Sequence, residues 1–511
     1  MYTLRVNCPI MKELSECCSW SGMGVFMKKV IIVGAGLSGL SVGIYLQKSG
    51  FETEIFELSP WAGGVCSSWT RKGYRFDGCI HWMVGTKKGD GFNQLFHEVG
   101  ALEAETEIYN SDSIFIELDG VMHEVPMDIT KFRAFLHELS ENDKNQIDEL
   151  CDDIATMGRI KIPTGAPQNL KELIEFMKTG RGFLALGRKY LGRTVGEIVA
   201  KMKSPTLRKL LLVLMPEAFS SEALVMMLGV RMGGNAGYPL GGSLEMIKRM
   251  EAKYRTLGGA IHFNSRVDKI VVEKGKATGI FSKGVFYPSD AVIAACDAHD
   301  TLKNMLGERY HHPQLDSLLE NAPLFDSLIV VSYGLKKKFG IPYSVDYECP
   351  DGISVAPDVI QNGFSLRSFD FDASAAPKDG SSVIAMLVAP CDYWQKLRLK
   401  SKDDYDKRKQ QLADDLANAI DHRIPGFKEA IDVVDVATPA TFVRLANLYH
   451  GSFEGFAPIP SSLKTNVRRT VPGVKNFCLC GQWLTIGGGI CSAVSDGKKA
   501  ADFLRKKLGR P

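Results

Sequence analysis

The chain has 511 residues, 45% of them hydrophobic and 24% charged, enough to bury a large core and to divide into two or three units of ordinary size. A net charge of +3 excludes bulk nucleic-acid binding through a single-sign surface, and the 12 cysteines form no CxxC pairs at zinc spacing, so a reducing, cytoplasmic setting is expected. The apolar runs at residues 30–46 and 210–230 are broken by glycines in the first and by Glu217 and Glu222 in the second, which predicts no transmembrane helix.

Residues 1–26 carry no periodicity and lack the apolar centre of a signal peptide; they are expected to be a disordered extension. Folded structure is expected to open at "MKKVIIVGAG". Val30 to Val33 read as a strand buried on both faces, followed by Gly34, Gly36 and Gly39 in GxGxxG spacing and a helix pattern through Leu40, Ile44 and Leu46 up to Gly50. Gly34 permits the turn, Gly36 lets a pyrophosphate approach, and Gly39 lets the helix pack against the strand; Leu37 and Ser38 then lie at the helix N-terminus that faces the phosphates. A second strand ends at Glu57, at the distance expected for a carboxylate on an unphosphorylated adenosine ribose. At this point NAD and FAD both remain open.

The next stretch, "LSPWAGGVCSSW", places Gly63 and Gly64 shortly after Glu57 and resembles the second half of the FAD fingerprint in amine-oxidase-like and phytoene-desaturase-like flavoproteins. Many relatives carry arginine where this chain has Val65, so that resemblance brings no arginine contact to the flavin; Ser67 and Ser68 are the alternative donors. "GYPLGGSLEMIKRMEAKYRTLGGAIHFNSRVDKIVVEKGKATGI" resembles the same family. Ser243 is the expected N-cap, Ile247, Met250, Tyr254 and Leu257 line one helical face, and Gly258 is the expected C′ residue. By resemblance, the backbone of Val267 would bond the adenine. Residues 290–298 read as a further buried strand. Near the far end, "CGQWLTIGGGICSAVSDGKKAADFL" is similar to a segment of carotenoid isomerases and desaturases. There Gly481 would turn near the ribityl chain, Gln482 replaces a common acid, and Gly488 and Gly489 would approach the flavin ring ahead of a helix starting at Ile490. That helix's N-terminus is expected to face flavin N1 and O2 and to stabilise the reduced ring.

These pieces predict an α/β fold: a Rossmann-like FAD-binding domain assembled from residues 27–110, 240–300 and 467–511, with an inserted α+β substrate domain at 111–239 and 301–466. Residues 127–232 read as mostly helical. "SLIVVSYGL", "SSVIAMLVA" and "DVVDVATPATFVRL" read as strands of a mixed sheet roofed by those helices. "SFDFDASAAPKDGSSVIAML" and "DVATPATFVRLANLYHGSFEGF" resemble phytoene desaturases, carotenoid isomerases and retinol saturases, which implies a tunnel for a long apolar polyene ending at the flavin.

The expected function is therefore FAD-dependent desaturation, saturation or isomerisation at carbon–carbon bonds. His81 in "FDGCIHWMVG" and His450 beside Tyr449 are the candidate proton carriers. No second GxGxxG is present, so electrons are expected to pass to or from oxygen, a quinone, a protein carrier or a transiently bound NAD(P)H. Basic and apolar residues interleave from 178 to 209, with Glu197 the single acid, which fits either a solvated basic face or peripheral contact with an anionic membrane. An amine oxidase would share the flavin domain, but the sequence shows no plain aromatic cage. A non-catalytic lipid escort would have lost the fingerprint that Gly34, Gly36, Gly39, Glu57, Gly63 and Gly64 retain.

Overall fold

The computed structural model describes residues 27–160, 180–182 and 185–509. The expected extension at 1–26, and residues 178, 179, 183 and 184 of the basic segment, lie outside the described residues.

Five strands form a parallel sheet: β1 (Lys29–Val33), β2 (Glu52–Phe56), β3 (Ala260–His262), β4 (Ala291–Ala294) and β5 (Phe477–Leu479), in spatial order β3-β2-β1-β4-β5. The central strand is apolar from Val30 to Val33 because helices and loops cover it on both faces, and Val30, Ile31 and Ile32 are wholly buried. Helix α1 (Leu37–Lys48) leaves β1 and packs against α2 (Gly242–Thr256) and α3 (Ile490–Leu508), which come from two distant parts of the chain. All five strands point their C-terminal ends the same way. Ligands of open α/β sheets bind at that edge, and here β1, β2, β4 and β5 each deliver a loop to it.

The inserted unit is built on a seven-stranded mixed sheet. Ser113–Leu118 runs parallel to Ser344–Ala356, and the other pairs are antiparallel. Alternation along Leu328–Leu335 splits its side chains between two cores. Ile329 and Val331 pack under helices Cys391–Lys400 and Lys402–Arg423, against Trp394, Leu412 and Leu416. Leu328 and Val330 point the other way, toward a large internal cavity. Helices Ile129–Leu139, Lys144–Arg159, Pro205–Leu214 and Ser221–Met232 form a separate apolar core over the 113–126 hairpin.

Two local expectations are corrected. "DVVDVATPATFVRL" is a strand only as far as Ala437; Pro439–Ala446 is a helix. Pro439 occupies its first turn and Thr438 exchanges capping hydrogen bonds with Thr441, a start signal that outweighs the β-branched residues beyond it. Ser243 is not the N-cap of α2. Gly241 takes that position with a left-handed φ of 89°, and Ser243 Oγ instead donates to Asp77 Oδ1 at 2.5 Å, tying α2 to the segment that carries His81.

Candidate active site

The Gly34 turn is held from three sides. Gly34 N–H donates to the Phe56 carbonyl at the end of β2, and Gly63 N–H donates to the Ala35 carbonyl. Glu57 completes the clamp: Oε2 accepts from Ala35 N–H at 2.6 Å and Oε1 from Ser59 N–H at 2.8 Å. Burial raises its pKa, while those backbone donors oppose the rise. Each oxygen keeps a further acceptor site, so the acid can shape the turn and still receive ribose hydroxyls. Gly39 lies one helical turn on and does not line the cavity; a Cβ there would stand 1.9 Å from the Gly34 carbonyl oxygen, so only glycine lets α1 leave the strand this closely.

A second glycine-rich turn meets the first across the same space. Gly481 N–H donates to Asp496 Oδ2 at 2.8 Å, and Arg469 donates to Asp496 Oδ1 at 2.9 Å, which fixes the end of β5 to α3. Gly488, at φ +36°, packs against Glu454: a Cβ at this position would lie 3.1 Å from the Glu454 carbonyl oxygen.

One cavity of ≈ 960 Å³ joins these parts. Among the residues singled out from sequence, Gly34, Gly36, Leu37, Ser38, Glu57, Gly63, Gly64, Val65, Val267, Gly481, Gln482, Gly488, Gly489, Ile490 and His81 all line it. Two helix N-termini open into it without a side-chain cap, α1 at Gly36 and α3 at Gly489. Uncapped N–H groups at a helix start are an anion site. Their pairing in one cavity, with the Glu57 carboxylate beside the first, fits a dinucleotide flavin, with a pyrophosphate at Gly36 to Ser38 and the ring edge that gains negative charge at Gly488 to Ile490. Ser67 and Ser68 do not line the cavity, so the alternative donors proposed for the place of the missing arginine are not there.

Beyond the flavin cradle the cavity turns apolar. Phe219, Phe325 and Phe453 form an aromatic group with successive centroids 5.4 Å apart, and Met226, Met227 and Val230 of Ser221–Met232 line the cavity together with Met386 and Val388 of the mixed sheet. Met226 lines the cavity and is 43% exposed.

The two histidines separate. His81 sits in the wall, and burial, with the nearby Arg367 charge, pulls its pKa down to about 3. It is therefore neutral through the physiological range, and its Nε2 is buried with no partner among the described residues. Tyr343 donates to its backbone carbonyl. These facts suit a positioning group better than a proton donor. His450 lies outside the cavity, half exposed in a left-handed turn with Nδ1 3.4 Å from Asp392, which leaves the flavin cradle without it.

Glu454, absent from the sequence candidates, is the titratable group that the fold brings to the ring end. It lines the cavity, no hydrogen bond among the described residues engages its carboxyl, and burial pushes its pKa up to about 7. Its Oε1 is 3.9 Å from where a Cβ on Gly489 would stand. The available signal was an isolated acid between Phe453 and Phe456 in an otherwise uncharged "GSFEGFAPIP". Glu222 also faces the cavity, with its pKa raised by burial.

This site and fold define a flavin-dependent oxidoreductase. The sequence profile of the family described as flavin containing amine oxidoreductase matches residues 37–504, and the chain belongs to that family. The chain is 24% identical over 510 residues to a 1-hydroxycarotenoid 3,4-desaturase from Flavobacterium sp. (strain P99-3), covering 94% of this chain and 99% of that protein. It is 22% identical to an all-trans-retinol 13,14-reductase from Danio rerio, over 90% of this chain and 83% of that one. Among solved structures, putrescine oxidase bound to putrescine superposes with a TM-score of 0.61 at 16% identity, covering 94% of this chain and 99% of the other; that likeness is one of fold.

Proposed function

We propose that the protein exchanges hydride with a carbon–carbon bond of a long apolar substrate, of polyene or related lipid type. The observation that carries this reading is the single cavity that begins at the flavin cradle and continues between Ser221–Met232 and the mixed sheet with phenylalanine, methionine and aliphatic walls. Bound at the two uncapped helix starts, FAD would supply a two-electron hydride acceptor or donor. The chain's own residues do the rest. The Phe219–Phe325–Phe453 group and the methionines exclude water and orient an apolar chain without demanding one shape. Glu454, poised near neutrality, takes or returns the proton that accompanies hydride movement at a carbon next to it. His81 holds the wall.

The two named relatives act in opposite directions on related polyenes, one introducing and one removing a double bond, so direction is left to the electron partner. Oxygen, a quinone, a protein carrier or a transiently bound NAD(P)H would each fit. Val213, 43% exposed, and Leu191, 55% exposed, lie in the stretch of chain that also carries Arg188, Lys201 and Arg208. We assign this face to peripheral contact with an anionic bilayer, through which an apolar substrate would enter. Among the described residues no helix is long and apolar enough to cross a membrane.

The test is anaerobic incubation of the flavin-loaded protein with polyenes and, in parallel, with primary amines. Mass spectrometry should find polyene products two hydrogens lighter with an oxidant, or heavier with a reductant. Bleaching of the flavin by amines while every polyene stays unchanged would overturn the reading.

A further inference from the structure

A second, smaller pocket of ≈ 20 Å³ shares His81 and Trp82 with the main cavity. Its lining is polar where the main cavity is apolar. Tyr109, Tyr238 and Tyr343 contribute rings that carry hydroxyls, Arg231 contributes a guanidinium, and no aspartate or glutamate lines it.

Arg231 lies in the last turn of Ser221–Met232, the helix whose Met226, Met227 and Val230 line the main cavity. Its guanidinium is 5.8 Å from the centre of the Trp82 ring, and among the described residues no carboxylate pairs with its side chain and no hydrogen bond engages it. Burial, together with the Arg367 charge, pulls its pKa down to about 10, so the group stays cationic at neutral pH. A half-buried guanidinium without a partner calls for an explanation, and the ordinary one, capping of its own helix, fails because no carbonyl among the described residues accepts from it. Beside it, His81 Nε2 is buried and unpartnered among the described residues. An unpaired guanidinium in a pocket that no carboxylate lines is the imprint of an acceptor-bearing ligand.

We propose that this pocket receives the carboxylate end of the apolar substrate, with Arg231 gripping its oxygens while the chain runs back along Ser221–Met232 in the main cavity. The inference rests on the apolar-substrate reading above and narrows it to chains with an acidic terminus. Arginine's planar fork matches a carboxylate. A pocket with room for roughly one or two water-sized groups suits two oxygens better than a phosphate ester. Counting along the helix, Arg231 stands about 13 Å from Glu222 at 1.5 Å per residue, so a substrate held at one end would have its middle among the methionines.

The experiment uses flavin-loaded protein and a fluorescent C18 polyene acid, cis-parinaric acid, against its methyl ester and against an alkyl phosphate of equal length used as competitor. Wild type should bind the acid at least about tenfold more tightly than the ester, the range of a charge-assisted pair. Arg231→Met should remove that preference with ester affinity unchanged, and Arg231→Lys should keep part of it. Equal binding of acid and ester by wild type would overturn the carboxylate site while leaving the apolar cavity standing; so would tighter binding of the alkyl phosphate than of the acid. Binding of neither acid nor ester would defeat the apolar-substrate reading itself. The wild-type comparison alone decides the matter if the variants prove unstable.

Discussion

Replacing Glu454 with glutamine keeps the shape of the side chain and removes its charge, so it isolates the cost of an ionisable group at the ring end of the cavity. Burial raises this carboxyl from an ordinary 4.5 to about 7. Below pH 4.5 the group is protonated in both folded and unfolded chains and its titration costs nothing. As pH rises toward 7 the unfolded chain releases its proton while the folded one retains it, so stability falls by about 1.4 kcal/mol per unit. Above about pH 7 both are ionised and the loss levels off at about 3 kcal/mol. Glu454→Gln should therefore match wild type near pH 4.5 and exceed it by about that amount at pH 8. The assay is urea denaturation of the flavin-free protein at both pH values, following the transition that reports the cavity-lining tryptophans. Product formation by the loaded variant should fall by about 10² or more if this carboxyl moves the proton. A variant whose stability advantage does not change with pH would refute the burial argument, and unimpaired turnover would remove Glu454 from the chemistry.

Gly488→Val should abolish flavin absorbance in the purified protein, because a side chain at φ +36° must displace the Glu454 backbone 3.1 Å away; retained flavin would mean the turn lies elsewhere. Asp496→Ala leaves Arg469 without its carboxylate and Gly481 N–H without an acceptor, which should cost about 3 kcal/mol and release flavin at a lower temperature, read by fluorescence of the freed cofactor. Because His81 has its pKa near 3, its ring should remain neutral by NMR from pH 8 down to pH 5, and His81→Gln should leave the pH dependence of turnover unshifted while weakening substrate binding.

Much of the cradle was legible in the sequence. Gly34, Gly36 and Gly39 with Glu57, and Gly481 with Gly488 and Gly489, announce themselves because each is required by backbone geometry within a few residues of a strand end. That they converge on one cavity follows from the parallel order β3-β2-β1-β4-β5, which only the folded structure gives. The failures are equally local in origin. "TPATFVRL" looked like strand because β-branched residues cluster there, yet Pro439 and the Thr438 cap decide for helix. His450 looked like a proton carrier by its company in the chain, and the turn that holds it faces Asp392 and solvent.

What the sequence by itself determined, then, is the pair of glycine turns, the carboxylate of Glu57 at the end of β2 and the flavin class of cofactor, since those depend on residues close together along the chain. Tertiary structure alone decided the state of the ionisable groups. His81 becomes neutral, Glu454 half-protonated and Arg231 unpartnered because segments distant in sequence close over each of them and remove the water that would otherwise fix their charge.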